Sequence, residues 1–132
     1  MGLVSGRVAL VTGSGGGIGR ATALKFAGEG AKVIASDINI DEGNETAALI
    51  KQNGGDAIFA PADVTRSADV AALIATVVDT YGQFDCACNN AGIEGKIAPI
   101  AEQSEDDFDR VMSVNAKGTF LCLKYEIAMA AV

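Results

Sequence analysis

The sequence predicts an α/β domain in which a parallel sheet is covered by helices on both faces. Apolar runs of strand length alternate with segments of helical period along the whole chain, and the residues unusual for either state fall just after the strand-like runs. At 132 residues, 49% hydrophobic and 20% charged, the chain has the size of one domain and enough apolar residues for a buried core. Crossovers in such a sheet are right-handed, and ligands bind beyond the carboxyl ends of its strands.

Val8 to Val11 is a short run of β-formers that breaks at a glycine-rich turn, and a helix reads from Gly17 to Gly28, ended by Gly28 and Gly30. Lys32 to Ser36 is the second strand. The helix after it runs from Asp41 to Gln52, with Asn39 and Glu42 at capping-box spacing, and stops at Asn53-Gly54-Gly55. Asp56 to Ala60 is the third strand. Val70, Leu73, Ile74, Val77, Val78 and Tyr81 then recur on one helical face. Phe84 to Asn89 is the fourth strand, followed by an irregular stretch from Gly92 to Gln103. Ser104 and Asp107 again have capping-box spacing, and from Glu105 the helical period continues to the end, with an irregularity near Asn115 and Gly118. No repeat or linker divides residues 1–132.

Ten basic against seventeen acidic residues leave a net charge of −7, which repels nucleic-acid phosphates and anionic membrane surfaces, so neither is an expected partner. Lys117, Lys124 and Glu126 interrupt the one long apolar candidate for a membrane span. The amino terminus has no cationic stretch before an apolar one, and Gly6 stands where a myristoylation pattern needs Ser or Thr. A cytoplasmic protein is expected. Cys86, Cys88 and Cys122 cannot all pair within one chain, Cys-Ala-Cys lacks a redox spacer, and the sequence has no histidine. Buried, reduced thiols and no metal site are the expectation, with a reactive thiol as the alternative.

The first strand ends in Thr-Gly-Ser-Gly-Gly-Gly-Ile-Gly, Thr12 to Gly19, and leads directly into a helix. Five glycines within seven residues let the backbone approach a ligand closely, and the N–H groups and positive end of the helix favour an anion such as a pyrophosphate. A tight connection is the plainer alternative. The spacing is neither G-x-G-x-x-G nor a P-loop. Asp37 ends the second strand 18 residues after Gly19, about where dinucleotide-binding folds place the acid that holds the adenosine ribose. A carboxylate accepts both ribose hydroxyl protons and repels a 2′-phosphate. Neither Ser14, Gly15, Gly16 nor Ile38 supplies a cation to offset that repulsion, so NAD is expected over NADP. In isolation Asp37 reads equally well as a solvated turn acid.

Ala62-Asp63-Val64-Thr65 follows the third strand and Asn89-Asn90-Ala91-Gly92 the fourth, and Val114 to Gly118 reads Val-Asn-Ala-Lys-Gly. These segments, in order after the glycine loop and Asp37, resemble the short-chain dehydrogenase/reductase family over essentially the whole chain. The resemblance implies a Rossmann-type doubly wound sheet, here strands 3-2-1-4 of a larger one. It implies NAD held by Gly13, Gly16, Gly17, Ile18, Gly19 and Asp37. Asp63 would accept from the adenine amino group and Val64 would pack beside the ring. Asn90, Ala91 and Gly92 would pass the nicotinamide-side ribose while Asn89 braces the sheet. Asn115 would mark a helix irregularity whose carbonyl holds a water of the proton relay. Taken singly, Asp63 is an ordinary turn acid, Asn89 and Asn90 are turn formers, and Asn115 is a helix joint beside Gly118.

The family's reaction is hydride transfer between a nicotinamide and the carbon of an alcohol or ketone, with a serine and a Tyr-x-x-x-Lys pair on one helical face. No Tyr-x-x-x-Lys occurs here: Asp85 follows Tyr81 by four residues, and Met129 follows Tyr125. Lys124 and Tyr125 are adjacent and read as ordinary helix surface. The expectation is therefore an incomplete domain, residues 1–132, truncated before the chemistry and inactive alone. Its substrate, an alcohol or ketone, is not legible. The fourth strand should present an unpaired edge, and the last helix, apolar on nearly every side through Phe120, Leu121, Leu123, Ile127, Met129 and Val132, should pack in a homo-oligomer. The alternatives are a non-catalytic NAD-binding module and another α/β enzyme with a similar loop, such as a methyltransferase.

Overall fold

The strand Val-Ala-Leu-Val-Thr is buried at every residue, which requires neighbours on both edges and cover on both faces. The computed structural model, which describes residues 2–130, supplies them. β1 (Val8–Thr12) pairs in parallel with β2 (Lys32–Ser36) on one side and β4 (Cys86–Asn89) on the other, and β2 pairs with β3 (Asp56–Phe59). The order is β3-β2-β1-β4. Helices α1 (Gly17–Gly28), α2 (Ile40–Gln52) and α3 (Ser67–Tyr81) form the crossovers. A 3-10 turn (Ile100–Glu102) precedes α4 (Glu105–Met112), which passes through a π-helical turn (Ser113–Gly118) into α5 (Thr119–Ala130). Val132 lies outside the described residues.

Alternate residues of β1 feed two separate cores, as the period of two in a strand demands. Val8 and Leu10 join Ile34 against Val70, Leu73, Ile74 and Val77 of α3 and Leu121 and Cys122 of α5. Ala9 and Val11 join Val33 and Ala57 against Ala23 of α1 and Ala47 and Ile50 of α2. Most element ends fall within a residue of the sequence reading. β4 is the exception, starting at Cys86, two residues after Phe84. Phe84 packs against the first core, and the Asp85 carboxylate takes the Val8 N–H at 2.8 Å.

The two capping boxes form only by half. Asn39 accepts the Glu42 N–H at 3.0 Å, but its own N–H goes to Asp37 Oδ1 rather than to Glu42. Ser104 accepts the Asp107 N–H, while the Asp107 carboxylate takes the Lys96 N–H and Arg110. Tyr125 departs from the surface position expected of it. It packs against the first core and hydrogen-bonds Ser67 of α3 at 2.6 Å, with the Lys124 ammonium 5.4 Å from its ring centre. Adjacent residues on a helix diverge by about 100°, but the long lysine stem bends back over the ring. β4 has no second pairing partner among the described residues, and α5 leaves Phe120, Leu123 and Ile127 exposed, as expected.

Asp85 fastens the entry of β4 to that of β1. The Val8 N–H is the main reason its carboxyl lies below the usual carboxylate range, with Gln83 and Arg7 assisting. A depressed acid contributes stability that is present above its unfolded pKa and lost as pH falls through the folded one. Asp85→Asn keeps an acceptor but not the charge, so its acid-denaturation curve, followed by circular dichroism, should be shallower than the parent's over that interval. Superimposable curves would refute this.

Candidate functional site

β1 ends at Thr12 and the chain turns at Gly13, whose φ of 63° lies in the left-handed region that favours glycine. A Cβ on Gly13 would lie 2.8 Å from Ala91 Cα, and one on Gly19 would strike the Gly13 carbonyl and the Asn90 amide. The loop thus meets both α1 and the end of β4 backbone to backbone, with the Asn90 amide between α1 and β4. α1 begins at Gly17 with Gly16 as its N-cap, without a side-chain cap and without an acidic residue in its first turn. Its leading N–H groups have no side chain to neutralise them, which is the electrostatic condition for an anion.

The loop is held from beneath. Ser14 is fully buried, and both its N–H and its hydroxyl donate to the Ser36 carbonyl, at 3.0 and 3.1 Å. Thr46 of α2, also fully buried, donates to the Ser14 carbonyl at 2.7 Å and accepts from Arg20 Nε at 2.9 Å. Arg20 also donates to the Glu42 carbonyl and Glu45, so this cation faces α2 and not the loop mouth. On the β4 side the Thr12 hydroxyl accepts the N–H groups of Asn90 and Ala91, and the Asn90 amide donates to the carbonyls of Thr12 and Gly13. Sequence reasoning missed Ser14, Arg20 and Thr46. The signal available for Thr46 was a lone hydroxyl at helical spacing among Gly43, Ala47 and Ile50.

Over the carboxyl ends of the strands lies a cleft of about 420 Å³. It brings together Gly13, Gly16, Ile18, Asp37, Asp63 and Val64, with Asn90, Ala91 and Gly92 as the opposite wall. Gly17 and Gly19 are not in its lining; they form the helix start behind it. Asp37 accepts the Gly15 N–H through one oxygen and the Asn39 N–H through the other, both at 2.8 Å. A side chain at Gly15 would meet that carboxylate, since even a Cβ falls 2.8 Å from Oδ2. Asp63 closes a turn onto Thr65 through Oδ1, leaving Oδ2 without a protein partner among the described residues.

Asn115 also lies behind the lining, in the π turn. Its amide accepts the Ile93 N–H at 2.8 Å and donates to the Ile93 carbonyl at 2.9 Å, so it holds the segment that follows the wall. Its own carbonyl accepts the Thr119 hydroxyl at 2.9 Å. The two strand-end asparagines have separate duties. The Asn90 side chain braces the loop, and the Asn89 side chain reaches Glu126 on α5. No group of three metal-ligating side chains occurs among the described residues, and no helix there is long and apolar enough to cross a membrane.

The sequence model of the family described as short chain dehydrogenase matches residues 7–129, and the chain belongs to that family. An uncharacterized oxidoreductase of Thermotoga maritima is 46% identical over 122 residues, covering 92% of this chain and 47% of that protein. A 2,5-dichloro-2,5-cyclohexadiene-1,4-diol dehydrogenase of Sphingobium indicum is 43% identical, covering 94% and 48%. The crystal structure of a short chain dehydrogenase from Mycobacterium avium superposes with a TM-score of 0.92 at 41% identity, covering 97% of this chain and 47% of that one. The chain thus spans about half the length of the relatives it matches.

Thr46→Val keeps the shape and deletes the hydroxyl, stranding the Ser14 carbonyl and the Arg20 Nε–H. It should cost about 1–3 kcal/mol in urea denaturation, and Thr46→Ser markedly less. Equal losses for the two would show that the hydroxyl is not the tie.

Proposed function

We propose that this chain is the coenzyme-binding half of an NAD-dependent oxidoreductase that moves hydride between a nicotinamide and an alcohol or ketone carbon. The observation that carries the proposal is the pairing of an uncapped helix start with a carboxylate, Asp37, across one cleft. The glycine cradle fits a pyrophosphate, because Gly13 and Gly19 let the loop close tightly on α1 and β4 while the space beside Gly16 and Gly17 at the helix start stays open. Gly13, Gly16, Gly17, Ile18 and Gly19 would hold the phosphates, Asp37 the adenosine ribose, and Asp63 and Val64 the adenine. Asn90, Ala91 and Gly92 would flank the nicotinamide-side ribose. Bound NAD supplies the hydride acceptor, or in the reverse direction NADH the donor.

Three features favour NAD over NADP. The Asp37 carboxylate, proposed to meet the adenosine ribose, would repel a 2′-phosphate, Gly15 carries no cationic side chain beside it, and Arg20 is committed to α2. Unit charges about 4 Å apart repel by about 1 kcal/mol in water and about 4 at an effective dielectric of 20. That corresponds to roughly five-fold to several-hundred-fold discrimination.

Asn115 positions the wall through Ile93. Its carbonyl has a second lone pair beside the Thr119 bond, and this is where a relay water would be held. No Tyr-x-x-x-Lys lies in these 132 residues, so by itself the chain is a binding module without turnover. The exposed Phe120, Leu123 and Ile127 are the proposed seam of a homo-oligomer.

NADH fluorescence titration should show binding, with NADPH weaker by the factor above. Asp37→Asn keeps one of the two oxygens that receive backbone N–H groups, removes the charge, and should narrow the gap. Equal affinities in the parent chain would overturn the coenzyme assignment. Sedimentation should show association that Ile127→Glu weakens; a monodisperse monomer would remove the seam.

A further inference from the structure

Among the described residues two buried side-chain atoms lack a hydrogen-bond partner, and both belong to one contact. Asn89 Nδ2 donates to Glu126 Oε1 at 2.7 Å, leaving Asn89 Oδ1 and Glu126 Oε2 unmatched. Glu126 is 6% exposed, one helical turn beyond the buried Cys122. No ion pair among the described residues includes it. Ionised, it would hold a charge in the core with one oxygen bonded and the other bare, which is costly without a cation. A neutral acid carries one O–H, and the amide facing it has one acceptor lacking a donor.

We infer that Glu126 keeps its proton and donates it from Oε2 to Asn89 Oδ1, closing a reciprocal acid–amide pair that makes Glu126 a positioning residue for the end of β4. Both orphan atoms are then satisfied by each other. Asn89 directly precedes Asn90, Ala91 and Gly92, so the pair sets where the cleft wall leaves the sheet.

The surroundings favour the neutral form. Burial raises the Glu126 acid above the usual carboxylate range, against the opposing pull of the Asn89 N–H. On its own helix burial pushes the Cys122 thiol up to about 11, so it stays neutral. Tyr125 is bound to Ser67, and Lys124 lies over the Tyr125 ring. On α3, Tyr81 is bound to Asp56, Asp69 is paired with Arg66, and Asp79 is exposed. On β4, Cys86 and Cys88 pack against the opposite core, and Lys117 of the π turn is exposed. Because the folded-state pKa is raised, the stabilisation is complete below the ordinary carboxylate pKa. It is lost as pH rises from there through the folded value.

Carboxyl carbon-13 resonances of the uniformly labelled 132-residue chain, followed against pH without coenzyme, test this. One glutamate signal, absent from Glu126→Gln, should keep its protonated position at a pH where the other glutamates have ionised. Glu126→Gln reproduces the reciprocal pair, so its Tm should match the parent's at low pH and exceed it by a widening margin as pH rises through the Glu126 titration. Glu126→Ala should lower Tm by roughly 5–10 °C at low pH, a deficit that narrows as pH rises and the parent's own Glu126 ionises. A Glu126 signal that titrates with the others, or a glutamine variant as unstable as the alanine one, would overturn the assignment.

Discussion

The cleft exists because three backbones meet where neither Gly13 nor Gly19 could carry a side chain. The Gly13 carbonyl, the α1 backbone at Gly19 and the chain at Asn90 and Ala91 come closer than any Cβ allows. That approach aims the first turn of α1 across the strand ends instead of over the sheet face. It also requires β4 to lie beside β1, since a more distant strand could not bring Ala91 to the turn. The strand order β3-β2-β1-β4 and the cleft are therefore one geometric fact.

Bare backbones at close range carry polar groups that must be matched, and the molecule matches them with short side chains from separate segments. Thr12 and Asn90 exchange bonds between β1 and the end of β4, Ser14 reaches β2, and Thr46 reaches in from α2. Asp37 serves the same end on the outer side by receiving Gly15. A group suited to a ribose is thus already oriented by the loop that would hold the phosphates. Preorganisation of this kind spares a ligand the cost of ordering its own site.

The elements themselves were legible because strand and helix periods are local properties of the chain, and so were the positions of Gly13, Asp37, Asp63 and Asn90 at strand ends. The ties between them were not. Thr46 and Ser14 meet across 32 residues, and nothing near either announces the other. The capping boxes show the same limit: Asn39 and Ser104 cap as their spacing implies, but the reciprocal acids are drawn off by Asp37 and by the loop at Lys96. Glu126 is the sharpest case. In the sequence it counts as a charge interrupting an apolar run, whereas in the fold it is among the more deeply buried residues of α5. Charge at such a site is decided by surroundings that only the folded chain assembles.

α4 and α5 would form one helix but for the six residues between them, Ser113–Gly118, which wind more widely. A widened turn accommodates an extra residue, and one residue is worth about 100° of rotation. It therefore acts as a phase shifter. Upstream, Asp107 and Arg110 address the loop after β4; downstream, Leu121, Cys122 and Glu126 address the sheet. With an unbroken α-helical period those two audiences would have to lie in line along a single stripe. The inserted turn frees them, so residues that shape the cleft approach and residues that seat α5 can vary independently.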